Sequence, residues 1–125
     1  MSKYMNDLPE PSRLLGGLRT AVTIADATYR IVFMNDLAVE HYGSRSGAAL
    51  IGTNLLDCHN AESQAQLHQM YARYRAGDLI PTRYRNDEGN EIWKGALFVP
   101  LIVEGQFGGV AELQWHERAD LVFEE

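Results

Sequence analysis

The sequence predicts an α+β fold, in which a five-stranded antiparallel sheet carries helices on one of its faces. Two patterns lead to this prediction. Apolar residues alternate with a period of two near both ends of the chain, as they do in half-buried strands. In the middle, one longer segment repeats its apolar residues about every 3.6 positions, as an amphipathic helix does. The predicted order is therefore two strands, several helices and three strands.

The N-terminal part predicts a short helix followed by a hairpin. Pro11 favours the first turn of a helix, and Gly16-Gly17 ends it. Residues 20–25 and 29–34 are rich in β-branched and aromatic side chains, which favour strands. Because a turn this short leaves no room for a crossover, the two strands are predicted to pair antiparallel.

A short helix and an irregular segment come next. Asn35-Asp36 predicts an N-cap, followed by a helix over residues 37–42 with Gly43 as its C-cap. Residues 50–58 predict irregular or single-turn helical structure. Both segments are too short to cover a sheet alone, so the next helix must supply most of the helical layer.

The long helix is predicted over residues 61–76, with Asn60 or Asp57 as its cap and Gly77 after its end. Its apolar stripe consists of Leu67, Met70, Tyr71 and Tyr74. His68 lies on the opposite, polar face. This stripe is the surface that we expect to pack on the sheet.

Three strands are predicted to complete the sheet, over residues 79–85, 91–103 and 107–116. Alternation gives the last two strands a shared apolar face, which we predict to be the inner face, towards the helices. Its members are Trp93, Gly95, Leu97, Val99 and Leu101 in one strand and Ala111, Leu113 and Trp115 in the other.

Composition narrows the class of protein. A chain of 125 residues with 46% hydrophobic residues has room for one domain, predicted over 14–116 after an N-terminal segment (1–13) and before a C-terminal tail (117–125). The net charge of −6 argues against nucleic acid as a partner. No apolar run approaches the roughly 20 residues of a spanning helix, and the single cysteine excludes an intramolecular disulfide, so we expect a cytoplasmic, soluble protein without a membrane partner.

Catalytic patterns are not found in the sequence. There is no G-x-S-x-G or H-E-x-x-H segment, and no pair of carboxylates is placed for acid–base chemistry. The prediction is therefore a non-enzymatic protein.

The element order resembles that of the PAS family. Residues 24–35 (IADATYRIVFMN) are similar to the family's opening, an aspartate turn and then a strand that ends in Asn before a helix. Residues 50–56 (LIGTNLL) resemble its L-I-G-x-x-L entry to the middle helices. The resemblance implies a sensory domain that binds a small molecule between the long helix and the sheet.

A further resemblance concerns residues 57–63 (DCHNAES). Some haem-binding PAS sensors of carbon monoxide carry a similar H-P-x-x-S segment, in which the histidine is the iron ligand. The resemblance implies His59 as a haem ligand, with Ser63 or a backbone carbonyl orienting its other nitrogen. Asn60 stands where that segment has proline. The residues alone leave open that His59 caps the long helix or is satisfied in the core.

Other pocket candidates come from the predicted inner face. Met70 and Met34 are possible second ligands of the iron by residue type, and both also suit a core. Leu97 and Trp115 are predicted to line the pocket, although two indoles there could also fill it. The alternatives to haem are another small molecule, such as a metabolite or fatty acid, and a ligand-free interaction module.

Signalling requires partners. A separate signalling protein is expected, and a homodimer is predicted through exposed apolar residues. These are Leu14, Leu15 and Leu18 of an N-terminal apolar stripe with Ile92 and Phe98 of the outer face of the sheet.

Overall fold

The computed structural model describes residues 10–43, 47–86 and 92–124. Its helices are α1 (Pro11–Gly16), α2 (Asp36–His41) and α3 (Ala61–Arg75). Its strands are β1 (Ala21–Asp26), β2 (Ile31–Met34), β3 (Thr82–Asn86), β4 (Ile92–Val103) and β5 (Gln106–Arg118). Three short 3₁₀ helices cover Gly47–Leu50, Leu55–Cys58 and Ala119–Leu121. The turn predicted over 86–90 lies largely outside the described residues.

The five strands form one sheet in the order β2-β1-β5-β4-β3, and all neighbouring strands are antiparallel. The first and last strands of the chain therefore pair at the centre of the sheet. The buried core lies between this sheet and the helices. The predicted α+β class, element order and hairpin are confirmed.

Asn35 joins the start of α2 to the start of β1. Its buried side chain accepts hydrogen bonds from the backbone N–H groups of Ala38 (2.9 Å) and Val22 (3.0 Å). Its amide nitrogen donates to the carbonyl oxygens of Leu18 (3.1 Å) and Thr20 (2.7 Å). The predicted N-cap is confirmed, and its four bonds also fix the entry of β1 into the sheet.

Helix α3 is held on the sheet as its sequence pattern predicts. Asn60 caps it by accepting from the backbone N–H of Ser63 (2.9 Å). The four residues of its apolar stripe, Leu67, Met70, Tyr71 and Tyr74, are all buried. Tyr71 donates to the carbonyl oxygen of Asp26 (3.0 Å), and Tyr74 donates to that of Phe98 (3.1 Å). Both anchors belong to the C-terminal half of the helix.

The inner face of β4 and β5 is the opposite of the predicted one. Phe98 is 5% exposed and belongs to the core, and its register partner is Glu112. Because successive strand residues point to opposite faces, Leu97 and Trp115 lie on the outer face, away from the helices. The prediction that these two residues line an inner pocket was wrong. Period-two alternation shows which residues share a face, but both faces here are apolar.

The reversed inner face also affects the predictions for Phe98 and Gly95. Phe98 cannot contribute to a dimer surface, because it is buried under α3. The side chains of Ile92 and Trp93 lie outside the described part of the chain. Gly95 is the register partner of Trp115, and a Cβ atom built on it would lie 2.6 Å from the indole ring. The glycine therefore makes room for the indole on the outer face.

Candidate ligand-binding site

A cavity of about 560 Å³ lies between α3 and the inner face of β3, β4 and β5. Its size suits a small-molecule site, for which several hundred Å³ are typical. Leu67, Met70 and Phe98 supply its apolar walls. Tyr84 of β3 donates a hydrogen bond to Gln66 of α3, which links sheet and helix beside the cavity.

A second cavity of about 390 Å³ adjoins the first. The two share His59, Glu112 and Gln114 in their walls. Thr23 and Tyr42 also line the second cavity, so its surface is more polar at this end. We call the first cavity the outer lobe and the second the inner lobe.

His59 lies between the preceding 3₁₀ helix and α3, and it lines both lobes. Its Nδ1 atom is 2.9 Å from the carbonyl oxygen of Leu55. An imidazole that carries its proton on Nδ1 donates to this carbonyl, and its Nε2 is then free to accept a hydrogen bond or bind a metal. A backbone carbonyl therefore lies beside one ring nitrogen of His59, whereas Ser63 lines the outer lobe and donates its N–H to Asn60.

Glu112 is the acidic residue of the cavity wall. It is 7% exposed, and the Tyr42 hydroxyl lies 3.2 Å from its Oε1 and 3.0 Å from Oε1 of Gln114. Burial raises the pKa of Glu112, although the Tyr42 hydrogen bond and the nearby His59 act in the opposite direction. Burial and the Glu112 carboxylate also raise the pKa of Tyr42. The Glu112 carboxyl group is therefore shielded from solvent and hydrogen-bonded to Tyr42.

Thr23 adds a second polar group to the same wall. It is 4% exposed, and its Oγ1 atom has no hydrogen-bond partner among the described residues. In the sheet, Thr23 of β1 is the direct register partner of Glu112. The two side chains therefore lie side by side on the inner face.

Arginines at the outer lobe are already paired with carboxylates. Arg73 contacts Asp78, with 3.3 Å between Nη1 and Oδ2. Arg83 contacts Glu117, with 3.1 Å between Nη2 and Oε1. Within the described part of the chain, none of the ion pairs involves Glu112.

Of the predicted site residues, His59, Ser63 and Met70 meet in the wall of the outer lobe, whereas Leu97 and Trp115 do not. The sequence analysis missed Glu112 and Gln114, because it placed the polar positions of β5 on the outer face. The available signal was the alternation of Glu112 and Gln114 with apolar residues in the middle of the strand.

Two features are absent from the described residues. No group of three or more His, Cys, Asp or Glu side chains is arranged to hold a metal ion there. In the same residues, none of the helices combines the length and the apolar character needed to cross a membrane.

Comparison with known proteins identifies the fold. No protein-family model and no curated protein matches the chain. The PAS domain of BvgS from Bordetella pertussis is 16% identical, with a TM-score of 0.61 over 88% of this chain and 87% of that chain. A PAS domain from Colwellia psychrerythraea is 17% identical, with a TM-score of 0.61 over 86% of this chain and 93% of that chain.

The Aer2 receptor from Vibrio cholerae, described as a dual PAS-heme oxygen sensor, is also similar. It is 17% identical, with a TM-score of 0.58 over 82% of this chain and 97% of that chain. Together these similarities define the class: the chain has the α+β fold of PAS domains.

Proposed function

We propose that this chain is a PAS-type sensory domain that binds a small molecule between α3 and the sheet. The observation that carries the proposal is the two-lobed cavity, in which apolar walls surround convergent polar groups. The sensory role of the similar Aer2 receptor supports the proposal. Cytoplasmic location is part of the proposal, because the single Cys58 suits a reducing compartment.

The anchoring of α3 suggests how binding is transmitted. Tyr71 and Tyr74 fix the C-terminal half of α3 to the backbone of the sheet, and Ser63 and Gln66 of its N-terminal half line the outer lobe. A ligand in that lobe contacts this N-terminal half, which the hydrogen bond between Tyr84 and Gln66 links to the sheet. Binding then shifts the population towards conformers in which this half has moved away from the sheet.

A cavity-filling substitution tests the proposal. Ala96 lines the outer lobe, and Ala72 is exposed on the outer side of α3, so Ala96→Phe and Ala72→Phe form a matched pair. In a metabolite screen, small molecules that raise the melting temperature of the wild-type protein should also raise that of Ala72→Phe. They should not raise the melting temperature of Ala96→Phe. Equal responses of the two variants would contradict a site in this cavity and favour a ligand-free interaction module.

Haem is a second candidate, favoured by the orientation of His59. The Nδ1 contact with Leu55 is typical of metal-bound histidines, so His59 would hold the iron, and Ser63 and Met70 would flank the group. Bound haem would supply a centre for gas or redox sensing. The buried Glu112 fits this group less well, because its carboxylate would face a large apolar ring without a compensating charge.

The haem candidate has a direct spectroscopic test. Protein expressed with added hemin should show a sharp Soret band that His59→Ala alters and that His116→Ala, at an exposed position, leaves unchanged. A colourless protein that does not respond to hemin would exclude haem and leave a metabolite or fatty acid as ligand.

A homodimer is also proposed, with a separate signalling protein as its further partner. Leu14, Leu15 and Leu18 at α1 are 48%, 44% and 44% exposed, and none of the residues of α1 is buried. These leucines form an apolar stripe that a second copy can cover. Light scattering after size-exclusion chromatography should give a dimer that Leu14→Glu dissociates, and a monomer at high concentration would remove this proposal.

A further inference from the structure

We propose that the ligand carries a positively charged amino group, which Glu112 binds at the junction of the two lobes, and an apolar body, which the outer lobe encloses. This inference rests on the proposed function, because it names the class of ligand for the same cavity.

The first argument is the burial of the Glu112 carboxyl group, which none of the ion pairs among the described residues includes. Its carboxylate is more than nine-tenths buried and faces both lobes. Among the described residues, its hydrogen-bond partner is Tyr42, whose single hydroxyl proton is shared with Gln114. A buried carboxylate without a cation is costly, so a cationic group that enters the cavity gains from pairing with it.

The second argument is the number of acceptors beside Glu112. An ammonium group has three N–H donors. Glu112 has Thr23 as its register partner and Gln114 two positions along β5, so the three side chains share the inner face of the sheet. They offer a carboxylate, a hydroxyl oxygen that has no partner in the described residues and an amide oxygen. This acceptor set matches one ammonium group.

The third argument is the charge and shape of the outer lobe. An anionic ligand needs a cation, but Arg73 and Arg83 are each paired with a carboxylate of their own. Phe98 is the register partner of Glu112, and Tyr84 of β3 lines the same lobe. Aromatic faces attract cations and also pack on apolar groups. The lobe therefore suits the carbon body of an amine better than an anion.

Three probes of similar shape test the charge preference: 2-phenylethylamine, 2-phenylethanol and phenylacetate. Their binding to ¹⁵N-labelled protein is followed by the shifts of backbone amide signals in α3 and β5. The amine is expected to bind at least about tenfold more tightly than the alcohol or the anion, as a charge-assisted hydrogen bond allows. Glu112→Gln should reduce the affinity for the amine to that for the alcohol and leave the alcohol unchanged. Glu104→Gln, in the exposed β4–β5 turn, is the control.

The outcomes separate the inference from the proposed function. If the alcohol or phenylacetate binds wild-type protein as tightly as the amine, the cavity accepts ligands but the charge preference is wrong. If Glu112→Gln keeps the preference for the amine, Glu112 is not its binding group. If none of the three probes shifts signals that line the cavity, both the inference and the proposed cavity site are overturned. The comparison of probes on wild-type protein is decisive even if Glu112→Gln fails to fold.

Discussion

Replacing Gly95 by alanine is expected to destabilise the protein without closing the cavity. A Cβ atom at this position would lie 2.6 Å from Cε2 and 2.7 Å from Cζ2 of Trp115. The indole must therefore move by about 0.8 Å to reach ordinary contact at 3.4 Å. Its Nε1 donates to Glu117 at 2.7 Å, so the movement also strains this hydrogen bond.

The size of the effect follows from two opposing contributions. Overpacking costs about 1–3 kcal/mol, and the smaller entropy of the unfolded alanine chain returns about 0.5–1 kcal/mol. The free energy of unfolding should fall by about 1–2 kcal/mol, which lowers Tm by about 4–8 °C for a domain of this size. Urea denaturation followed by circular dichroism measures this change.

A double-mutant cycle shows whether the indole is the cause. In a Trp115→Leu background, Gly95→Ala should cost less than about 0.5 kcal/mol, because the ring is gone. The same cost in both backgrounds, or no cost in wild-type protein, would refute the contact. Because Gly95 and Trp115 lie on the outer face, binding of 2-phenylethylamine should not change. Lost binding would instead place Trp115 in the cavity, as the sequence alone predicts.

Three further predictions concern polar groups that join the elements. Asn35→Ala should lower the free energy of unfolding by about 2–4 kcal/mol, because a helix cap is lost and buried backbone groups lose their hydrogen-bond partners. A urea midpoint within error of the wild-type value would contradict this prediction. Tyr74→Phe should lower the free energy of unfolding by about 1–2 kcal/mol, because the Phe98 carbonyl and the Thr82 hydroxyl each lose a hydrogen-bond partner. An unchanged urea midpoint would show that α3 does not depend on this anchor. Because the pKa of Glu112 is raised in the folded state, that state binds more protons than the unfolded state above the ordinary glutamate pKa. The contribution of Glu112 to stability should therefore be greatest below the ordinary glutamate pKa and should fall as pH rises from that value to the raised one. Glu112→Gln should remove this part of the pH dependence, and identical pH profiles of the two proteins would contradict it.

The fold could be read from the sequence because its local signals agree with one another. Asn35 and Asn60 cap the helices that follow them, and the 3.6-residue stripe of α3 is the face that is buried. The predicted start of the third strand was less accurate. A strand was predicted from residue 79, but β3 begins at Thr82. Pro81, just before it, has no N–H to donate to a sheet ladder, so pairing with β4 begins after it.

The sequence did not show which face of the central strands points towards the helices. In β4 and β5, Phe98 and Val110 are apolar on one face, and Leu97 and Leu113 are apolar on the other, so alternation alone cannot select the inner side. The prediction took the face that carries Trp93 and Trp115 as the inner one.

The error on faces and the missed carboxylate have one cause. Charged residues are placed on the surface by default because burying them is costly, and Glu112 departs from that rule inside a central strand. Had Glu112 been placed inside, the register would have brought Phe98 and Gln114 to the same face and turned Trp115 outwards. A position that breaks a local rule in this way is expected where function requires it. The burial of this carboxyl group, beside a Thr23 hydroxyl that has no hydrogen-bond partner among the described residues, is therefore the observation on which the proposed amine ligand depends.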